Sequence, residues 1–493
     1  MIRRREILAL PLLGVVPRAI AQNFHCGILV VGAGGAGLAA ALEASAYSDS
    51  VVLIEKESFI GGDTLYSGGF FNAPNTEFQN RKGIKDSEEF YLQQITQSAN
   101  GRGNPKVRTK LAKEAANTLN WLRKNGVTFG DEIYQIYGSG YRRSHKPVTA
   151  LGSSYVQNLA AACLKNGVSI RTSTRLESFE VLRNQRGFRV TISSKGVSSV
   201  ITSRALILCA GGFANNPELI RRYVPNLNFK YSDSRGTGEV LQRAIEAGVQ
   251  VENMDAVECI PEGSILSKYS ARLYAMAPGT VFINEDGERF VDEAATRKTI
   301  SEALIKQGAK RCWTIVDIRS VKRLDKSQQK NLYRAYFAGQ VWKNDTLETL
   351  CKDINVPFEK VKASFEQVDP RHRPSVAPFW AVRMYPWIHY TLGGISINEQ
   401  AECLNKFGIP IPGLYAAGQI TGSVHGENRL GGNGLTDAFT FGRIAGKNAA
   451  RWIKENLKEI AFSPKPPFSL QQGFRNLEIV KRQLADAFCL SDI

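Results

Sequence analysis

Among the eight cysteines of this 493-residue chain none is spaced as CxxC or CxxCH, so it encodes neither a zinc ribbon nor an attached c-type haem. Histidine is scarce, at five residues, and no metal site is expected. The apolar run Ile7 to Val16 is too short to span a bilayer, which argues against an integral membrane protein. Internal repeats and low-complexity tracts are missing. The chain carries 63 Lys and Arg against 46 Asp and Glu, a formal charge of +17. No segment interleaves clustered cations with aromatics, which argues against nucleic acid and leaves a general attraction for anionic substrates or acidic partners. Cys209 lies in a strand-like run and Cys163 in a helix-like one, so buried thiols are expected rather than disulfides.

What is present begins at Ile28 to Glu55, ILVVGAGGAGLAAALEASAYSDSVVLIE. An apolar run turns through Gly32, Gly34, Gly35 and Gly37 into an alanine-rich helix, and a second run ends at Glu55. This is a βαβ unit for a dinucleotide. The first glycine permits the turn, the second lets backbone approach a pyrophosphate, and the third lets helix and strand pack closely. Free amides at the helix N-terminus favour the anion, and Glu55 is placed to accept from a ribose. By itself the unit suits NAD or FAD.

Residues 1–21 read as an export signal. Arg3, Arg4 and Arg5 precede the apolar run, and Ala19-Ile20-Ala21 suits cleavage before Gln22. Arg4-Arg5 resembles a twin-arginine signal, with Arg3 atypical, and the ordinary secretory route stays open. The expected location is the periplasm.

After Glu55 and Lys56, glycine-dense loops carry Gly62, Asp63 and Thr64, then Gly69, Asn72 and Ala73, and let backbone run flush against a flat ligand. Helical periodicity follows at Ser87 to Gln97, Pro105 to Asn125 and Tyr155 to Asn166, with a strand at Ser169 to Thr172. A strand meander ends in Ala205 to Cys209 and runs into Ala210, Gly211 and Gly212, a second glycine turn. From Val257 the texture changes to charged helical segments, at Ser301 to Gln307, Gln328 to Phe337, Thr346 to Ile354 and Glu359 to Val368. Glycine-rich turns resume near 379, with Gly418 and Gln419, then Gly434 and Leu435. The expected fold is α/β, a discontinuous Rossmann-like nucleotide domain (24–256 and 379–456) with an inserted α+β capping domain (257–378). A C-terminal extension follows (457–493), with an amphipathic helix over Leu470 to Phe488.

The motifs IEK at Glu55, AGGF at Ala210, GERFVDEAATR ending at Arg297, IHYTLGG around His389 and HGENRLGGNGL from His425 stand in one order. In this set the chain resembles the flavoprotein family of fumarate reductase and succinate dehydrogenase, specifically its soluble exported branch of enoate reductases. The resemblance implies FAD and a capping domain closing over the flavin. It implies that His389 and Arg429 grip a substrate carboxylate while Arg297 delivers a proton. Arginine suits the first role, since its planar fork binds carboxylate bidentately. A polarised carboxylate lets the β-carbon of a conjugated double bond accept hydride from flavin N5, and the α-carbon then takes a proton. Arginine is an unusual acid, because it normally holds its proton beyond about pH 12. Read without the resemblance, Arg297 also fits an ion pair with Asp292 or Glu293, His389 a core histidine and Arg429 a phosphate clamp.

The departures are informative. Ungapped alignment back from Asn284 puts Ile260, Arg272, Leu273 and Met276 where soluble fumarate reductases carry a His, a Thr, a Glu and an Arg, and Tyr390 replaces a second His. One carboxylate clamp survives, and the rest is rewritten with Tyr269, Arg272, Tyr274 and Glu262. This points to acrylate-, cinnamate-, itaconate- or urocanate-type substrates, with fumarate as the alternative because Arg272 offers a second clamp. A ketosteroid-type flavin dehydrogenase, in which tyrosines polarise a carbonyl, is the other alternative. FAD is expected to be non-covalent, because no His lies between His25 and His145. No haem domain is expected ahead of the first strand, so electrons are expected from a separate periplasmic cytochrome or quinol-linked membrane partner, in a terminal reductase of anaerobic respiration.

Overall fold

The computed structural model describes residues 24–456 apart from 49, 137, 139, 150–151, 183–186, 228–230, 264–278, 309 and 325. The export signal, the C-terminal extension and the pocket candidates Tyr269, Arg272 and Tyr274 therefore lie outside the described residues. Glu262 lies in a described strand, but its side chain is not described.

The first apolar run is the strand Phe24–Val31, flanked in parallel by Val51–Ile54 and Val197–Leu208. Ile28 sits opposite both Val51 and Ala205. A strand with parallel neighbours on both sides and helices on its faces has no solvated side, which is why it reads as unbroken Ile, Leu and Val rather than alternating. Pro410–Ala416 extends the sheet beside Val197–Leu208, and Ser169–Arg171 beside Val51–Ile54. The meander Thr174–Val181 and Phe188–Ser194 joins its antiparallel flank.

The alanine-rich helix Gly35–Ser45 packs on the long helix Asn433–Asn456 at very short range. A Cβ at Gly442 would come 2.4 Å from the Ala36 carbonyl, and one at Gly446 2.2 Å from that of Ala40. Small residues on both helices permit that approach, which ties the C-terminal glycine turns to the N-terminal ones.

The inserted segment builds an antiparallel sheet in the order Val257–Gly263, Phe379–Thr391, Cys312–Asp317 and Thr280–Asn284, with Val341–Asn344 also on Phe379–Thr391. The 13-residue strand Phe379–Thr391 carries this sheet past residue 379, where the change of texture marks a return to the nucleotide domain. Its end reaches that domain, because the Thr391 hydroxyl accepts from the Phe213 amide at 3.3 Å. The helix expected from Ser301 begins four residues earlier, as Arg297–Lys306, because Thr296 caps it by accepting from the Thr299 amide at 3.2 Å. The seven described cysteines are all free and buried, as the sequence reading expected.

Candidate active site

A cavity of ≈ 420 Å³ lies at the carboxyl ends of the parallel strands, walled by Val31, Ile54, Cys209 and Ala417. Nucleotides bind at this place in open α/β sheets. Most of the expected cofactor residues line it: Gly32, Gly34, Gly35, Glu55, Lys56, Gly62, Asp63, Thr64, Gly69, Ala210, Gly211, Gly418, Gln419, Gly434 and Leu435. The others shape it from behind. A Cβ at Gly37 would sit 1.8 Å from the Gly32 carbonyl, and one at Gly212 2.0 Å from the Thr391 hydroxyl, so both are there for packing. Asn72 donates to the Gly431 carbonyl and to Asn433 Oδ1, each at 2.7 Å, and so holds the last glycine turn. The Ala73 side chain is fully buried.

On the cavity side the backbone is bare. A Cβ at Gly34 would meet nothing nearer than 3.8 Å, and one at Gly62 nothing nearer than 3.6 Å. The N-cap residue of the helix Gly35–Ser45, Gly34, offers no capping side chain and its first turn holds no acid, while the Thr64 hydroxyl accepts from the Gly35 amide at 3.0 Å. Glu55 accepts from the amides of Ala33 at 2.8 Å and Glu57 at 3.0 Å, which locks it across the first turn. Burial pushes its carboxyl up, against those two bonds. Lys56 donates to Thr237 at 2.6 Å, and Asp63 accepts from Ser234 at 2.6 Å and from the Arg235 amide at 2.7 Å.

At one part of the wall three distant segments meet. Arg297 is the first residue of its capped helix. Arg429 belongs to the loop before Asn433–Asn456, which is pinned where the Gly431 amide donates to the Gly138 carbonyl at 2.8 Å. His389 stands at a β-bulge: Glu258 pairs with Tyr390 and Cys259 with Ile388, leaving His389 unmatched and re-aimed. Between the arginines lies Glu258, with Oε1 3.1 Å from Arg297 Nη1 and Oε2 2.7 Å from Arg429 Nη2. Burial alone pushes its carboxyl up, but Arg429, Arg297 and His389 together hold it below its ordinary value. His389 Nδ1 is 2.9 Å from Asp233 Oδ2. Tyr390 is buried, with the Arg429 guanidinium 4.6 Å from its ring centre and His425 edge-on at 5.7 Å. Asp292 and Glu293 pair with Arg289 rather than with Arg297. Buried donors remain: Arg297 Nη2, Arg429 Nε and Gln419 Nε2 have no partner among the described residues. Such groups rarely stay unpaired, so the wall calls for a ligand rich in acceptor oxygens.

Residues 27–435 match the family described as FAD binding domain. A probable fumarate reductase of Shewanella frigidimarina is 30% identical over 445 residues, covering 86% of this chain and 74% of that one. The urocanate reductase of Eggerthella lenta is 31% identical over 458 residues, with the same coverages. The open conformation of a flavocytochrome c3 fumarate reductase superposes with a TM-score of 0.75 at 30% identity, over 87% of this chain and 78% of that one. The chain belongs to this FAD-binding family.

This flavoprotein is an FAD-dependent oxidoreductase acting on a carbon–carbon double bond. The cavity fits the cofactor: bare glycine backbone at Gly34 and Gly62 and a helix start without acids suit the pyrophosphate, and the amide donor of Gln419 suits a polar ring edge. Sequence reasoning missed Glu258 and Asp233, which hold the flavoprotein's two carboxylate-binding candidates. Glu258 had a faint signal, an acid between Val257 and Cys259 two residues before the rewritten stretch. Asp233 had none, since only the parallel bridge of Ser232 to Ile388 lays its segment beside His389.

Proposed function

We propose that this flavoprotein is an exported reductase of α,β-unsaturated carboxylates of the acrylate, cinnamate, itaconate or urocanate kind. Its bound FAD, when reduced, supplies the hydride. The observation that carries the reading is the pair of unpartnered buried donors, Arg297 Nη2 and Arg429 Nε, on one cavity wall with His389. Arg429 and His389 bind the substrate carboxylate, drawing charge toward it and making the β-carbon electrophilic. Arg297 presents an N–H to the α-carbon and delivers its proton as carbanion character develops there. The capping sheet and helix keep water from that carbon. Tyr390 fills the space beside Arg429 where a second clamp would otherwise stand. Electrons reach the flavin from a separate periplasmic cytochrome or quinol-linked partner, and the enzyme serves as a terminal reductase. No helix among the described residues is long and apolar enough to cross a membrane.

The test is to reduce the holoenzyme without oxygen and add unsaturated carboxylates in turn, fumarate among them. Rapid return of the oxidised flavin spectrum with at least one is expected. If none reoxidises the flavin, the reading fails, and reduction of oxidised enzyme by a steroid ketone would support the dehydrogenase reading instead.

A further inference from the structure

We infer that Glu258 is a specificity-determining residue that narrows the proposed substrates to those carrying one carboxylate, of the acrylate, cinnamate or urocanate kind, over those carrying two, such as itaconate and fumarate. The inference rests on the reading of the site as a carboxylate reductase.

The argument is one of charge in a closed space. Glu258 lies on the strand Val257–Gly263 directly opposite Tyr390, so both side chains face the same wall. Its own exposure is 5%, and each carboxylate oxygen lies at ion-pair distance from a different arginine, without an aligned hydrogen bond. Among the described residues the cluster therefore holds two guanidinium charges and one carboxylate, leaving a single positive charge. His389, on the same wall, already faces Asp233. Asp63, whose carboxyl burial pushes up, accepts from Ser234 and the Arg235 amide and adds no cation.

An incoming monocarboxylate balances the one remaining charge and finds the free N–H groups of both arginines. A dicarboxylate brings a second anion to a buried cluster whose spare positive charge, among the described residues, is already used, and places it close to the Glu258 carboxylate. Like charges at short range and low effective dielectric repel strongly, and neither can move into water without opening the site. Glu258 acts through the two arginines rather than on the reacting atoms.

The test uses flavin-loaded enzyme in three forms, wild type, Glu258→Gln and Glu258→Asp, with fumarate and the best monocarboxylate of the panel. Glutamine keeps the shape and removes the charge, and is expected to raise the fumarate to monocarboxylate ratio of kcat/KM by about tenfold or more, chiefly through KM for fumarate. Aspartate keeps the charge, and its ratio is expected to stay near that of wild type. A purely structural role would lower both substrates together and leave the ratio unmoved. As a measurement on wild type alone, succinate is expected to perturb the flavin spectrum at concentrations about tenfold higher than propionate. An unchanged ratio in flavin-loaded Glu258→Gln, an equal shift in Glu258→Asp, or tighter binding of succinate than propionate would each overturn the inference while the reductase reading stands. Failure of every carboxylate to reoxidise wild-type flavin would remove both.

Discussion

Nη1 of Arg297, a residue of the cavity wall, lies 3.1 Å from Oε1 of Glu258, while Nη2 of the same guanidinium is buried without a partner among the described residues. One side of the group is thus anchored and the other is unpartnered. Replacing Arg297 by alanine is expected to lower the rate of flavin reoxidation by carboxylate by about 10²- to 10⁴-fold, the usual worth of a positioned acid. The visible spectrum of bound flavin should be retained. Stopped-flow reoxidation checks this, and wild-type rates in Arg297→Ala would exclude Arg297 as the proton donor.

Arg429 and Glu258 are both buried, so removing Arg429 leaves the Glu258 carboxylate with Arg297 as its one remaining arginine. Arg429→Met is expected to cost about 3–5 kcal/mol of stability, because a buried charge loses a partner. Adding Glu258→Gln to it should recover part of that loss. Thermal denaturation of the two single variants and the double gives the coupling energy directly, and strict additivity would contradict the pairing.

Gly34 and Gly37 stand three residues apart and should fail differently when changed to alanine. At Gly37 the new Cβ would lie 1.8 Å from the Gly32 carbonyl, so the helix must leave its strand and soluble folded protein should be lost. At Gly34 the nearest protein atom is 3.8 Å away, so the chain should fold and bind FAD more weakly. Flavin content per folded protein separates the two outcomes.

The flavin is expected to be released intact when the protein is denatured. His145, the first histidine after the glycine-rich loops, is buried, with Nε2 2.9 Å from the Thr76 hydroxyl, and it does not line the cavity. Acid or heat should place all flavin fluorescence in the supernatant; colour remaining on the precipitated chain would show a covalent bond.

The same histidine predicts a pH dependence. Burial holds His145 down to about 4, from an ordinary 6.5, with the Phe71 carbonyl opposing. The unfolded chain binds this proton between those values while the native chain does not, so acidification through that window favours unfolding. Stability should rise by about 3 kcal/mol from pH 4 to pH 6.5 on this account and be flat above it. Tm measured against pH should fall less steeply on the acid side in His145→Gln than in wild type.

The sequence by itself determined the α/β nucleotide fold, the order of the glycine turns, FAD as the cofactor and the family. These rest on local rules: an apolar run too uniform for a solvated strand, glycines where a Cβ would clash or block, and acids at strand ends. Arg297, Arg429 and His389 were legible because each stands in a motif of contiguous residues. Tertiary structure decided what those residues touch. Thr296 starts a helix ahead of its apolar periodicity and so turns Arg297 inward, the bulge at Glu258 and Cys259 re-aims His389, and a bridge to Ile388 brings Asp233 to it from 156 residues away. Such meetings depend on strand register and chain crossing, which residue order constrains only through the packing of the whole molecule. The acid between the two arginines therefore emerged only once the capping sheet lay against the nucleotide domain.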